Sequence, residues 1–111
     1  MNDNPEKITK AWKGFDKEFR CRDHQYAVGE TYRFEGAAII CEQGFHACAA
    51  PIDVLGYYPA ATSRYAEVEL IGDTVSEEKG DSKLAASGIR VIREISYFEL
   101  WQAHRAWVAG Q

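Results

Sequence analysis

Residues 44–70, GFHACAAPIDVLGYYPAATSRYAEVEL, hold a strand, an enforced helix start, an aromatic pair and an alternating strand in one short run. Gly44-Phe45-His46-Ala47-Cys48 reads as a strand with Phe45 and Ala47 on one side and His46 and Cys48 on the other, because strand side chains alternate. Pro51 suits a first helical position, where its missing N–H is no loss and its φ is already near helical. Asp53 then sits at the positive end of the helix, while Gly56 weakens it and Pro59 stops it, so the helix is short and ends at Tyr57-Tyr58. Arg64–Leu70 alternates again. Ala66, Val68 and Leu70 fall on an apolar face, and Tyr65, Glu67 and Glu69 on a face expected to be wet.

Upstream, ITKAWKGF (8–15) reads as a first strand, with Ile8 and Trp12 on one face and Ala11 and Phe15 on the other. Residues 16–28 have no clean period and read as an ordered loop pinned by Phe19 and Tyr26. Thr31–Phe34 and Ala38–Cys41 flank Glu35-Gly36 as a hairpin. Downstream, 71–82 reads as an acidic turn. Lys83–Ser87 and Ile89–Ile95 are further strands, the latter β-branched enough to be covered on both faces. Ser96-Tyr97-Phe98-Glu99 is a capping box, in which serine and glutamate satisfy each other's free N–H groups. The helix it opens runs to about Val108 and is expected to lay Trp101 and Trp107 on the sheet.

The chain has 111 residues, 46% of them apolar and 27% charged, with a net charge of −4. That length supports one domain over 1–111, frayed at 1–7, with a core large enough to dispense with disulfides or a metal. No apolar run approaches the length of a membrane span, the N-terminus lacks a signal-like hydrophobic segment, and three cysteines suit reduced thiols. A cytoplasmic protein is expected. No basic stripe tracks a phosphate backbone, which argues against direct nucleic-acid binding.

Four groups of residues could carry chemistry. Cys21, His24, Cys41, His46 and Cys48 are of zinc-ligand type, but only Cys21-x-x-His24 has a chelating spacing, so these are read as packing groups and no metal or cofactor is expected. His46 and Cys48 are strand neighbours without a visible orienting acid, so catalysis by them is not expected. Lys13, Arg22, His46 and Tyr58 could line a pocket for a phosphate-bearing ligand. Finally, Glu67, Glu69, Asp73, Glu77, Glu78 and Asp81 crowd 67–81 against Lys79 alone, an acidic margin able to dock on a basic partner.

The motifs KGF (13–15), CR (21–22), QY (25–26), GFHAC (44–48), YYP (57–59), RYAEV (64–68) and IREI (92–95) resemble an uncharacterised small-domain family of tailed phages and bacterial genomes. The resemblance spans roughly residues 11–96. It implies an accessory protein of phages or mobile elements, a class that includes anti-CRISPR inhibitors of host defence. A remoter likeness is to ADP-ribosyltransferases, whose Gly-(Ile/Phe)-Tyr-x-(Thr/Ala) strand, short helix and following strand look like 44–70 here. That likeness implies a split sheet. In that family a first-strand His or Arg grips the nicotinamide ribose, a Tyr stacks on nicotinamide and a late Glu orients the ribose. Here those places hold Trp12-Lys13, His46 and Ser87-Gly88, so transfer chemistry is not implied residue by residue.

The expected fold is α+β: a twisted, mainly antiparallel sheet of about six strands, a short helix after Pro51 and a C-terminal helix packed on the sheet. The expected function is non-catalytic occlusion of a host protein complex, one that handles nucleic acid being suited to the acidic margin. Tyr57 and Tyr58 would share that contact. The alternative is a nucleotide- or NAD-handling enzyme with its pocket at Lys13, Arg22, His46 and Tyr58.

Overall fold

Strand formation in the first half follows the alternation described above. The computed structural model describes residues 6–35, 44–76 and 81–111. In chain order its elements are β1 (Ile8–Phe15), β2 (Arg20–Cys21), β3 (His24–Gln25), β4 (Thr31–Arg33) and β5 (Phe45–Cys48). Two 3₁₀ turns follow, at Pro51–Gly56 and Ala60–Thr62. The chain continues as β6 (Arg64–Ile71), β7 (Val75–Ser76), β8 (Lys83–Ala86), β9 (Gly88–Ile95) and α1 (Tyr97–Ala109). Seven strands form one antiparallel sheet in the order β4-β9-β6-β1-β5-β8-β7, and β2 with β3 make a separate hairpin. The fold is α+β, as expected, with one strand more than the sequence suggested.

Its centre is β1, which pairs with β6 along its whole length but with β5 only at Trp12 opposite Cys48. The sheet is therefore nearly split between β1 and β5. Each face carries a core. Ala11, Phe15, Ala66, Val68, Leu70, Ile89 and Val91 pack on one face beneath Phe19 and Tyr26 of the β2–β3 segment. Trp12, Cys48, Val54, Tyr65, Ile95 and Leu100 pack on the other beneath α1 and the first 3₁₀ turn.

A β-bulge explains how β9 serves both. Glu67 faces Arg93 while Val68 faces Val91, so Ile92 is the extra residue, and beyond it the side chains change face. Ile89 and Val91 thus enter the first core and Ile95 the second.

Several expectations need correction. The wet face of β6 is largely covered, because α1 and β9 close over Tyr65, and the Glu67 side chain is only 17% exposed between Arg93 and Lys10. β9 is not covered throughout: Arg90, Arg93 and Glu94 are exposed. Trp101 does not lie on the sheet, since Leu100 is the buried residue of α1 and its neighbour is therefore turned outward, 39% exposed. The loop 16–28 contains the β2–β3 hairpin. β4 pairs with β9, and the second arm of the expected hairpin, 38–41, lies outside the described residues. The short helix expected after Pro51 forms, as a 3₁₀ turn, and its Asp53 carboxylate accepts the Ser82 N–H at 2.9 Å. The capping box at Ser96 and Glu99 forms with both bonds present.

Candidate functional site

The missing pairing between β1 and β5 opens a cavity of about 680 Å³. β1 contributes Trp12, Lys13 and Gly14, and β5 contributes His46 and Cys48. The β2–β3 hairpin supplies Cys21, Arg22 and His24, the first 3₁₀ turn supplies Val54 and leads into Tyr57 and Tyr58, and β8 adds Lys83. The four residues nominated from sequence as a pocket, Lys13, Arg22, His46 and Tyr58, come together here although they are far apart in the chain.

Lys13 is the one buried charged side chain among the described residues, 4% exposed. It shares a β1 face with Ala11 and Phe15, and its Nζ donates to the His46 carbonyl at 2.6 Å, a side-chain clasp where the sheet ladder is absent. The rings of Tyr26 and Phe15 lie 5.5 and 5.9 Å from the ammonium. No carboxylate pairs with it among the described residues. Burial drives its pKa down, and the neighbouring Cys21 sulfur opposes this in part.

The cation field spreads to its neighbours. The His46 imidazole is pushed from 6.5 to about 4, first by burial and then by Lys13, Lys83 and Arg22, so it is neutral at physiological pH. His24 is lowered by burial and then by Lys13, and its ring packs on Tyr26, Tyr32 and Phe45. Burial, and then the charges of Asp81 and Asp53, push the Cys48 thiol up to about 12. A thiol at about 12 does not pass its proton to an imidazole at about 4, so His46 does not activate Cys48 as a nucleophile.

Tyr58 walls the cavity. Its hydroxyl donates to Cys21 Sγ at 3.0 Å, and its carbonyl accepts from the Tyr65 hydroxyl at 2.7 Å. Gly14 makes this seat: a Cβ there would lie 2.7 Å from the Tyr58 side chain. A glycine inside a strand pattern is the ordinary sign of such a close approach, and it was present in the sequence. Arg22 occupies the first central position of the β2–β3 turn at φ 58°, left-handed backbone that glycine normally takes. Lys83 had no distinguishing sequence signal; its Nζ sits 4.8 Å over the Tyr57 ring.

The remaining nominees do not assemble. Among the described residues no three His, Cys, Asp or Glu side chains group so as to hold a metal, and Cys41 lies outside them. Glu77 and Glu78 also lie outside. The described acidic residues are dispersed rather than gathered into one margin: Glu67 and Glu69 stand on β6, with β1 and β5 between them and β8. Asp73 is exposed in the turn after β6, and Asp81 accepts the Tyr57 hydroxyl at 2.5 Å.

Residues 9–103 match a family described as a domain of unknown function, DUF7666. The chain belongs to this family. Every cavity residue named above falls within the part of the chain that matches DUF7666, whereas the end of α1 lies beyond it. No curated protein and no solved structure matches the chain. No helix among the described residues of this DUF7666 chain is long and apolar enough to cross a membrane.

The neutral His46 gives a pH prediction. Its pKa is lower in the folded chain than in the unfolded one, so its contribution to stability is full above about pH 6.5 and is lost as pH falls toward about 4. For a half-buried ring screened by solvent the loss is about 1–2 kcal/mol. Urea titrations at several pH values are expected to show His46→Gln flattening the acid slope by that amount relative to wild type. An unchanged slope would mean that imidazole burial does not contribute to it.

Proposed function

We propose that this domain binds a small anionic ligand carrying a planar ring, of nucleotide or NAD type, in the cavity between β1 and β5. The observation that carries the reading is the buried Lys13 ammonium, which lines the cavity without a carboxylate partner among the described residues. A cation in that position is costly to bury and gains from an incoming anion. Arg22 and Lys83 reinforce it, and among the described residues Asp23 is the single carboxylate residue of the lining. Tyr57 and Tyr58 offer ring faces for a planar group. Binding alone is proposed: the shifts of His46 down and Cys48 up keep the proton on the thiol, so they form no nucleophilic pair.

Calorimetry with ADP, NAD and inorganic phosphate tests this reading. Arg22→Gly is the informative variant, because it removes a cation while relieving left-handed strain. It is expected to weaken ADP binding about tenfold while shifting stability by no more than about 0.5 kcal/mol, strain relief offsetting glycine's added freedom in the unfolded chain. Absence of heat with all three ligands, or binding indifferent to Arg22→Gly and Lys83→Ala, overturns it.

A second reading, occlusion of a host protein complex by a phage or mobile-element protein, keeps one specific support. Tyr57 is exposed and its hydroxyl is tied to exposed Asp81 at the cavity rim, an acidic and aromatic pair in one place. Capture of a host complex by wild type and not by Tyr57→Ala with Asp81→Lys would favour it over the ligand.

A further inference from the structure

Every described lysine but one is at least partly open to solvent; Lys13 is buried yet lines the cavity. The amine has a backbone carbonyl and two aromatic rings to hold it and no carboxylate partner among the described residues, and burial lowers its pKa. Loss of one proton from this ammonium, which burial eases, leaves an amine with two hydrogens and a lone pair. The His46 carbonyl at 2.6 Å and the Cys21 sulfur both accept from it, which leaves the lone pair for an electrophile.

We propose that Lys13 captures an aldehyde or ketone bearing an anionic group, forming a Schiff base through Nζ inside the cavity. The inference rests on the ligand-binding reading above and gives the site a chemistry. Nζ attacks the carbonyl carbon, and a C=N bond replaces C=O. The two amine hydrogens leave with the carbonyl oxygen as one molecule of water, so no oxidant or reductant is consumed. Arg22 and Lys83 hold the anionic group, and Tyr57 and Tyr58 flank the carbon skeleton. On the same wall the Cys48 thiol, pushed up to about 12, keeps its proton and does not compete with the amine.

The test uses the wild-type chain with pyridoxal 5′-phosphate, an aromatic aldehyde with a phosphate, and with pyridoxal, which lacks it. Borohydride reduces any C=N bond formed, and peptide mapping by mass spectrometry locates the secondary amine. Lys13 is expected to be labelled about tenfold faster than Lys7, Lys10 or Lys17 at neutral pH, and faster by the phosphorylated probe. Arg22→Gly removes the phosphate advantage while leaving Lys13 the labelled residue. Label spread over exposed lysines, label confined to Lys83, or no label overturns the proposal. The calorimetric test separates the two readings. Anion binding without trapping leaves the ligand cavity standing and removes the covalent step; trapping by both probes alike, without anion binding, does the reverse.

Discussion

Gly14→Ala is expected to destabilise the protein by about 1–3 kcal/mol and to abolish ligand binding in the cavity. The backbone at Gly14 lies in β1 and does not need glycine's freedom; the obstacle is space. A methyl group there meets the Cβ, Cγ and Cδ2 atoms of Tyr58 at 2.7 Å, the root of a ring rather than the far end of a flexible chain. Tyr58 must leave its seat, and with it go the hydroxyl bond to Cys21 and the carbonyl that accepts from Tyr65. A double-mutant cycle checks the cause: in a Tyr58→Ala background the same substitution is expected to cost less than half as much. Equal costs in both backgrounds would place the strain elsewhere.

Leu100→Ala carries the largest expected loss of stability, about 2–4 kcal/mol. Leu100 is the buried residue of α1 and enters a core with Trp12, Val54, Tyr65 and Ile95. Of the other large apolar residues of the helix, Tyr97, Phe98, Trp101 and Val108 are substantially exposed, and Trp107 is half-buried. Val54 belongs both to this core and to the cavity wall, so loosening α1 is expected to weaken the ligand site as well. Denaturant titration measures the first effect and calorimetry with ADP the second. A loss below about 1 kcal/mol would mean that the helix is held by something other than this side chain.

The strands β1, β5 and β6 were legible because each has its own alternation, whereas the two-residue strands β2, β3 and β7 are too short to show one. In β1 the sets Ile8/Trp12 and Ala11/Phe15 separate as read, and the capping box at Ser96 needed only its two residues. The face assignments failed where one residue of register decides them. Ile92 reads as one more β-branched strand residue, yet as a bulge it sends Ile95 to the opposite face from Val91. Periodicity placed Trp101 on the sheet, but the helix buries Leu100 and turns the adjacent tryptophan outward. The cavity was half legible: residue chemistry marked Lys13, Arg22, His46 and Tyr58, whereas Lys83 and Val54 are brought there only by strand order. The acidic run looked continuous in sequence because strands that are neighbours in the chain need not be neighbours in the sheet.

One pairing, Trp12 with Cys48, is the entire ladder between the two halves of the sheet among the described residues. Each half is cross-linked within itself along several residues, so opening motions should concentrate at this seam, and amide hydrogens flanking it should exchange ahead of those in β6 and β9. A molecule seated there would touch both halves at once and act as an added rung. Its arrival should be visible as slowed exchange on either side of the seam, far beyond the atoms it contacts.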